Sequence, residues 1–248
     1  MTHDPHLSRI VTLWSVVRQA HEGPAEAVHS AQLQLLDRYG GAVRRYLLAS
    51  LRDEDAADEV FQEFALRFVR GDFQCADPEQ GRFRSFLKTV VYRLIIDYQR
   101  RRGRQARQQA LPADGPAWSD EQPNLSDEQF AQSWRDELLA RTWSALEAVD
   151  ERERTLYHTV LRLRANRPEL RSNELAEELA SELDKPFTAG NVRVLVHRAR
   201  ERFADLLLEE VSISLESAGT DEIEQELIDL NLYGYCRDVL QRRRSDEP

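Results

Sequence analysis

The sequence predicts an all-α protein: two helical domains joined by an acidic linker, followed by a C-terminal extension. Three observations carry this. Apolar residues recur at helical spacing almost throughout the 248 residues. Ten Gly and nine Pro are too few for a β-rich fold with many turns. A composition of 41% hydrophobic and 31% charged residues suits modest helical cores with solvated faces.

Taken in order, Ile10, Leu13, Trp14 and Val17 mark a first short helix, which Gly23-Pro24 ends. Leu33, Leu36, Gly40, Val43 and Leu47 make a second apolar stripe. Asp53 to Asp58 is an acidic helix start, where carboxylates meet the positive end of the helix dipole. Val60, Phe61, Phe64, Ala65 and Phe68 then face a core. After a loop from Gly71 to Gly81 containing Asp77-Pro78, a basic helix turns Phe86, Leu87, Val90, Val91, Leu94 and Ile95 inward. These four helices form one domain, assigned to residues 1–108.

Residues 109–129 read as an extended acidic linker, because three Pro, a Gly and five acids between Leu111 and Gln129 break the periodicity. A second helical domain covers residues 130–209. Leu138, Leu139, Leu146 and Val149 mark its first helix, and Leu156, Val160 and Leu163 the next. Ser172 is placed as the N-cap of a helix with Leu175, Ala176, Leu179 and Leu183 on its apolar face. Asp184-Lys185-Pro186 turns the chain, and Thr188 caps a helix that directs Val192, Leu195, Val196, Ala199 and Phe203 inward. Two short helices joined by a tight turn, the second bearing Arg193, His197, Arg198 and Arg200, form a helix-turn-helix pattern. An ordinary helical hairpin shares the pattern but has no reason to concentrate arginine there. Residues 210–248 form the extension: eight acids and no base lie between Glu209 and Asp229, then come Leu232, Tyr233, Tyr235, Val239 and Leu240.

The charge distribution narrows the function. The chain carries a formal net charge of -10, yet Gly81 to Gln108 holds nine bases against the single acid Asp97. The bases are Arg82, Arg84, Lys88, Arg93, Arg100, Arg101, Arg102, Arg104 and Arg107. Such a stripe beside aromatics is the footprint of a nucleic-acid surface, and salt screens the distant acids beyond roughly 10 Å. A solvated helix face with frayed arginines would give the same local pattern. No apolar run approaches the ~20 residues of a membrane span, and the opening MTHDPHLSRI lacks a signal-peptide pattern. Cys75 and Cys236 lie far apart without metal-ligand partners, which points to a reduced cytoplasm. There is no HExxH, and His3 and His6 make a weak metal candidate, so no metal or cofactor is expected. Without a phosphate-binding GxxxxGK[ST] or a GxSxG, the enzyme reading finds little support and no catalytic residue is assigned.

The segments DRYGGAVRRYL, DAADEVFQEFALRF and ADPEQGRFRSFLKTVVYRLIIDYQRRR, followed by GNVRVLVHRARERF, resemble the two conserved blocks of bacterial RNA polymerase sigma factors. The likeness is to the sigma-70 family, in its extracytoplasmic-function group, with region 2 before region 4. The recognition-helix match falls on Gly190, Val192, His197, Arg198, Ala199, Arg200 and Arg202. The resemblance implies binding rather than catalysis, with core RNA polymerase and promoter DNA as partners. Asp58, Glu59, Gln62 and Glu63 would dock on the polymerase clamp helices. Tyr92, Arg93 and Asp97 would read bases of the −10 element, with Lys88, Arg100 and Arg101 on phosphates. Asn191, Arg193 and His197 would meet base edges of the −35 element, with Arg198, Arg200 and Arg202 on phosphates. The linker would thread the polymerase cleft as a nucleic-acid mimic, or act only as a tether. An anti-sigma factor, or self-inhibition by the acidic extension covering a basic DNA surface, would be the regulatory partner. A dispensable solubilising tail is the alternative. Departures from the family pattern are Arg93 where some relatives carry Asn, Phe64-Ala65 for Thr-Phe, and Val194-Leu195 for Ser-Arg. The promoter sequence therefore does not carry over. A free-standing helix-turn-helix regulator is the competing function, but it would need neither the acidic docking helix nor the basic melting helix.

Overall fold

The computed structural model describes residues 25–70, 72, 82–109, 126–215 and 219–246, the side chains of 25–29, 31, 106–109 and 246 excepted. All regular structure among the described residues is helical, in nine helices. They are α1 (Ala25–Leu51), α2 (Glu54–Arg70), α3 (Phe83–Gln109), α4 (Asp127–Glu153), α5 (Tyr157–Asn166), α6 (Ser172–Leu183), α7 (Ala189–Ile213), α8 (Thr220–Asp229) and α9 (Tyr233–Asp246). The helix expected around Ile10 to Val17, the loop around Asp77-Pro78, Cys75, and linker residues 110–125 lie outside the described residues. No helix among the described residues is long and apolar enough to cross a membrane.

The chain divides into two compact units. The first contains α1, α2, α3 and the start of α4 up to Glu137. Its core seam runs along α1 through Leu35, Tyr39, Ala42, Val43, Tyr46 and Leu47. The expected stripe is shifted at its start. Leu33 is 52% exposed, while its neighbour Gln32 is buried and donates from Nε2 to the Val69 carbonyl at 3.0 Å. The helical phase that buries Leu35 and Tyr39 places position 32, not 33, on the inner face. At Gly40 a side chain would meet the Phe61 ring at 3.2 Å, so glycine allows α2 to lie close against α1. Arg52, at φ 54°, turns the chain out of α1, and the Asp53 carboxylate accepts the Ala56 N–H at 3.1 Å to cap α2. That bond, reinforced by Arg102 at 3.3 Å, holds the Asp53 carboxyl below the usual carboxylate range. Val60, Phe64 and Phe68 complete the buried face of α2, and Phe83, Leu87, Val91, Leu94 and Ile95 that of α3.

The fourth wall of this core comes from beyond the linker. Trp134 is 1% exposed and stacks on Tyr39 at 4.6 Å and 7°, and Phe130 meets Tyr46 edge-on at 5.0 Å. Arg45 adds an ion pair to Glu137 at 2.6 Å. The boundary expected between 129 and 130 thus differs from the division observed after Glu137. The physical reason is the aromatic pair: each ring removes about 150–250 Å² from water, or ~4–6 kcal/mol as an upper bound, when it packs with the earlier helices. Likewise α4 begins at Asp127, inside the span read as linker, where Ser126 Oγ accepts the Gln129 N–H at 3.4 Å.

The second unit runs from Leu138 through α7 and includes the residues from 219 onward. Leu138, Leu146 and Val149 of α4 are buried, as are Val160 and Leu161 of α5, and α7 packs against both α5 and α6. Asp150 accepts the N–H groups of Tyr157 and His158 at 2.8 and 2.9 Å, capping α5 from the preceding helix. Trp143 packs on Phe203 at 4.9 Å. The extension is a folded helical pair: Ile223, Leu227, Leu230, Leu232, Val239 and Leu240 are buried, and both α8 and α9 pack on α7.

Candidate nucleic-acid interface

In the first unit, the interface candidate is α3. Its N-terminal half is clamped by the core, so only one side faces water. Tyr92, 42% exposed, and Arg93 stand there, followed one and three turns on by Ile96 and Arg104, with exposed Arg100 between them. Successive turns place Tyr92 and Arg100 ~12 Å apart along the axis. Asp97 is half-buried at the edge of this face, and Arg101 lies on the azimuth of Leu94. Arg101 is nevertheless exposed, because by that turn the helix has run past its core. Lys88 is less available than expected: its Nζ pairs with Asp127 at 3.0 Å. Arg102, not among the expected contacts, is tied to the Asp53 cap. The structure therefore brings Tyr92, Arg93, Arg100 and Arg104 onto one accessible face and leaves Lys88 engaged at its margin. Aromatic and guanidinium groups at that spacing can stack bases and neutralise phosphates.

The acidic helix α2 separates the four expected docking residues into two pairs. Glu59 and Gln62 are exposed. Asp58 accepts from Arg44 Nε at 2.9 Å, and Glu63 accepts from Arg67 Nε at 2.7 Å. Arg44 also reaches Glu54 at 3.3 Å, and these two carboxylates raise its already high pKa. What Glu59 and Gln62 adjoin is apolar: Leu66 and Val69 are each 44% exposed on the same side of the helix. The sequence reading missed this apolar end, although its signal was present, since positions 59, 62, 66 and 69 oppose the Val60, Phe64 and Phe68 stripe.

In the second unit, α6 and α7 form a helix-turn-helix. Asp184, at φ 50°, ends α6 in the left-handed conformation, and Thr188 Oγ1 accepts the Asn191 N–H at 3.1 Å to cap α7 as expected. The start of α6 differs. Ser172 is its first helical residue, and Glu174 accepts the N–H of the true cap position, Arg171, at 2.6 Å. Val192, Val196, Ala199 and Phe203 seat α7, leaving Asn191, Arg193, His197, Arg198 and Arg200 exposed. Arg202 is half-buried on the flank, and Val194 is 51% exposed among the outward residues. His197 Nε2 lies 3.6 Å from Glu201. Among the described residues no group of three His, Cys, Asp or Glu could hold a metal; His3 and His6 lie outside them.

Searches of curated proteins and of solved structures gave no match. Residues 35–105 match the family model described as Sigma-70 region 2, which runs from Leu35 of α1 through α2 to Gln105 of α3. The acidic helix α2 and all but the last four residues of α3 thus fall inside one matched segment. This segment of the first unit is therefore similar to sigma-70 region 2, a finding that supports a sigma-70 family sigma factor.

Proposed function

We propose that this chain is a sigma factor of the extracytoplasmic-function group, which binds core RNA polymerase and directs promoter recognition, melting and initiation in the cytoplasm. The observation that carries the reading is the region 2 match itself, which encloses the α3 face of Tyr92, Arg93 and Arg100. Opening a duplex costs a few kcal/mol per unstacked base, and capture of the exposed bases on an aromatic and arginine face offsets it. Asp97 at the edge of that face is suited to accept from a base amino group. Arg100, Arg101 and Arg104 supply the phosphate neutralisation that makes such binding salt-dependent.

The polymerase would be met by α2, with Glu59 and Gln62 as the polar contacts and Leu66 and Val69 as the apolar ones. Asp58 and Glu63 are read as intramolecular supports of that helix through Arg44 and Arg67. The helix-turn-helix of α6 and α7 would read the −35 element as region 4, with Asn191, Arg193 and His197 nearest base edges and Arg198, Arg200 and Arg202 toward phosphates. Residues 109–126 would then act as the linker between the regions, and an anti-sigma factor remains a candidate partner.

Co-elution of the purified chain with bacterial core RNA polymerase on a sizing column at moderate salt tests this. Stoichiometric co-elution, abolished by Glu59→Lys, supports the reading. Separate elution of the intact chain and the polymerase would favour a free-standing DNA-binding regulator.

A further inference from the structure

The extension sits on the same face of α7 as its exposed N-terminal residues. His197, Glu201, Ala204 and Asp205 follow one another at helical spacing along one side. His197 is exposed, but Ala204 is 2% exposed, and the Cys236 thiol of α9 lies 3.9 Å from the Ala204 carbonyl. On either side of that contact, Arg242 pairs with Glu201 at 2.8 Å and Arg243 with Asp205 at 3.1 Å. Two acids of α8, Asp221 and Glu224, both pair with Arg244. The extension is expected to lay acids over a basic DNA surface; at this contact its arginines meet acids of α7. Basic α9, with four arginines against two aspartates, is laid over acids of α7.

We propose that α9 is a second DNA-contacting element, which grips the sugar-phosphate backbone flanking the groove that α7 enters. The inference rests on the reading of α7 as a groove-binding helix. Asn191 to His197 span ~9 Å of axis, comparable with a major groove ~12 Å wide. The next turn, at Glu201, would therefore lie where the helix leaves the groove and meets phosphates. A carboxylate there would repel them. Arg242 neutralises it while its side chain stays 56% exposed, and five N–H donors let one arginine serve both a carboxylate and a phosphate. Deleting the extension would expose the apolar side of α7, so point variants are the proper probe.

The test is binding of the full chain to a nonspecific DNA duplex across a salt series, for wild type, Arg242→Ala and Arg198→Ala, with melting curves for each. The expected result for Arg242→Ala is several-fold weaker binding, an unchanged melting temperature, and a salt slope lower by about 0.9. If Arg198→Ala weakens binding while Arg242→Ala leaves it unchanged or tightens it, the role of α9 is overturned and the reading of α7 survives. If wild type does not bind, or Arg198→Ala has no effect, the groove-binding reading fails and takes this one with it.

Discussion

Two long arginine-bearing helices, α3 and α7, are sheathed at opposite ends. The first half of α3 is built into the core of the first unit, and Arg100, Arg101, Arg102 and Arg104 follow as the helix leaves that core. The first half of α7 carries its arginines outward, and its second half is enclosed, with Leu206, Leu207, Leu208 and Val211 all buried. Amphipathicity alone does not tell these apart, because both read as apolar stripes with basic flanks. The half that stays accessible is decided by which other helices pack there. For α3 these include the start of α4; for α7, they include α8 and α9.

The largest effects test the sheaths. Trp134→Ala removes a fully buried ring and should cost about 3–5 kcal/mol, and Leu207→Ala about 2–5 kcal/mol, in urea unfolding. A cost well under 1 kcal/mol for either would mean that its helix is not sheathed as described. Next come the accessible halves. Replacing Arg100 and Arg101 together with Ala should lower the salt slope of single-strand binding by about 1.4 while leaving stability unchanged. An unaltered slope would remove these arginines from the interface.

Cys236 reports the sheath of α7 directly. Burial pushes its thiol up to about 12, so in a Cys75→Ser background it should resist alkylation at pH 8 and react rapidly in urea. A thiol raised in the folded state supports stability fully below its unfolded pKa of ~8.5, and that support is lost as pH rises toward 12. Rapid labelling of the native chain would show that α9 opens readily. The smallest effects lie at the helix starts. Thr188→Ala should cost about 1 kcal/mol by removing the cap of α7, read as a lower melting temperature. Asp53 has the opposite pH sign from Cys236: its lowered pKa gives stability above the ordinary carboxylate range, lost as pH falls through the folded value. Asp53→Asn should flatten the acid limb of the stability curve.

The sequence by itself determined the helices, the helix-turn-helix and the basic character of α3 and α7, because these depend on local periodicity, caps and composition. It placed Val60, Phe64, Leu87, Leu175 and Val192 on buried faces, and the Thr188 cap at its true position. Tertiary structure alone decided that Phe130 and Trp134 complete the core of the preceding unit, since their partners Tyr46 and Tyr39 are more than eighty residues away. It also decided which acids of α2 remain available, because Arg44 reaches Asp58 from another helix. The polarity of the extension was settled the same way. Its acids and bases were plain in the sequence, but their pairing depends on distances across packed helices, which no local pattern encodes.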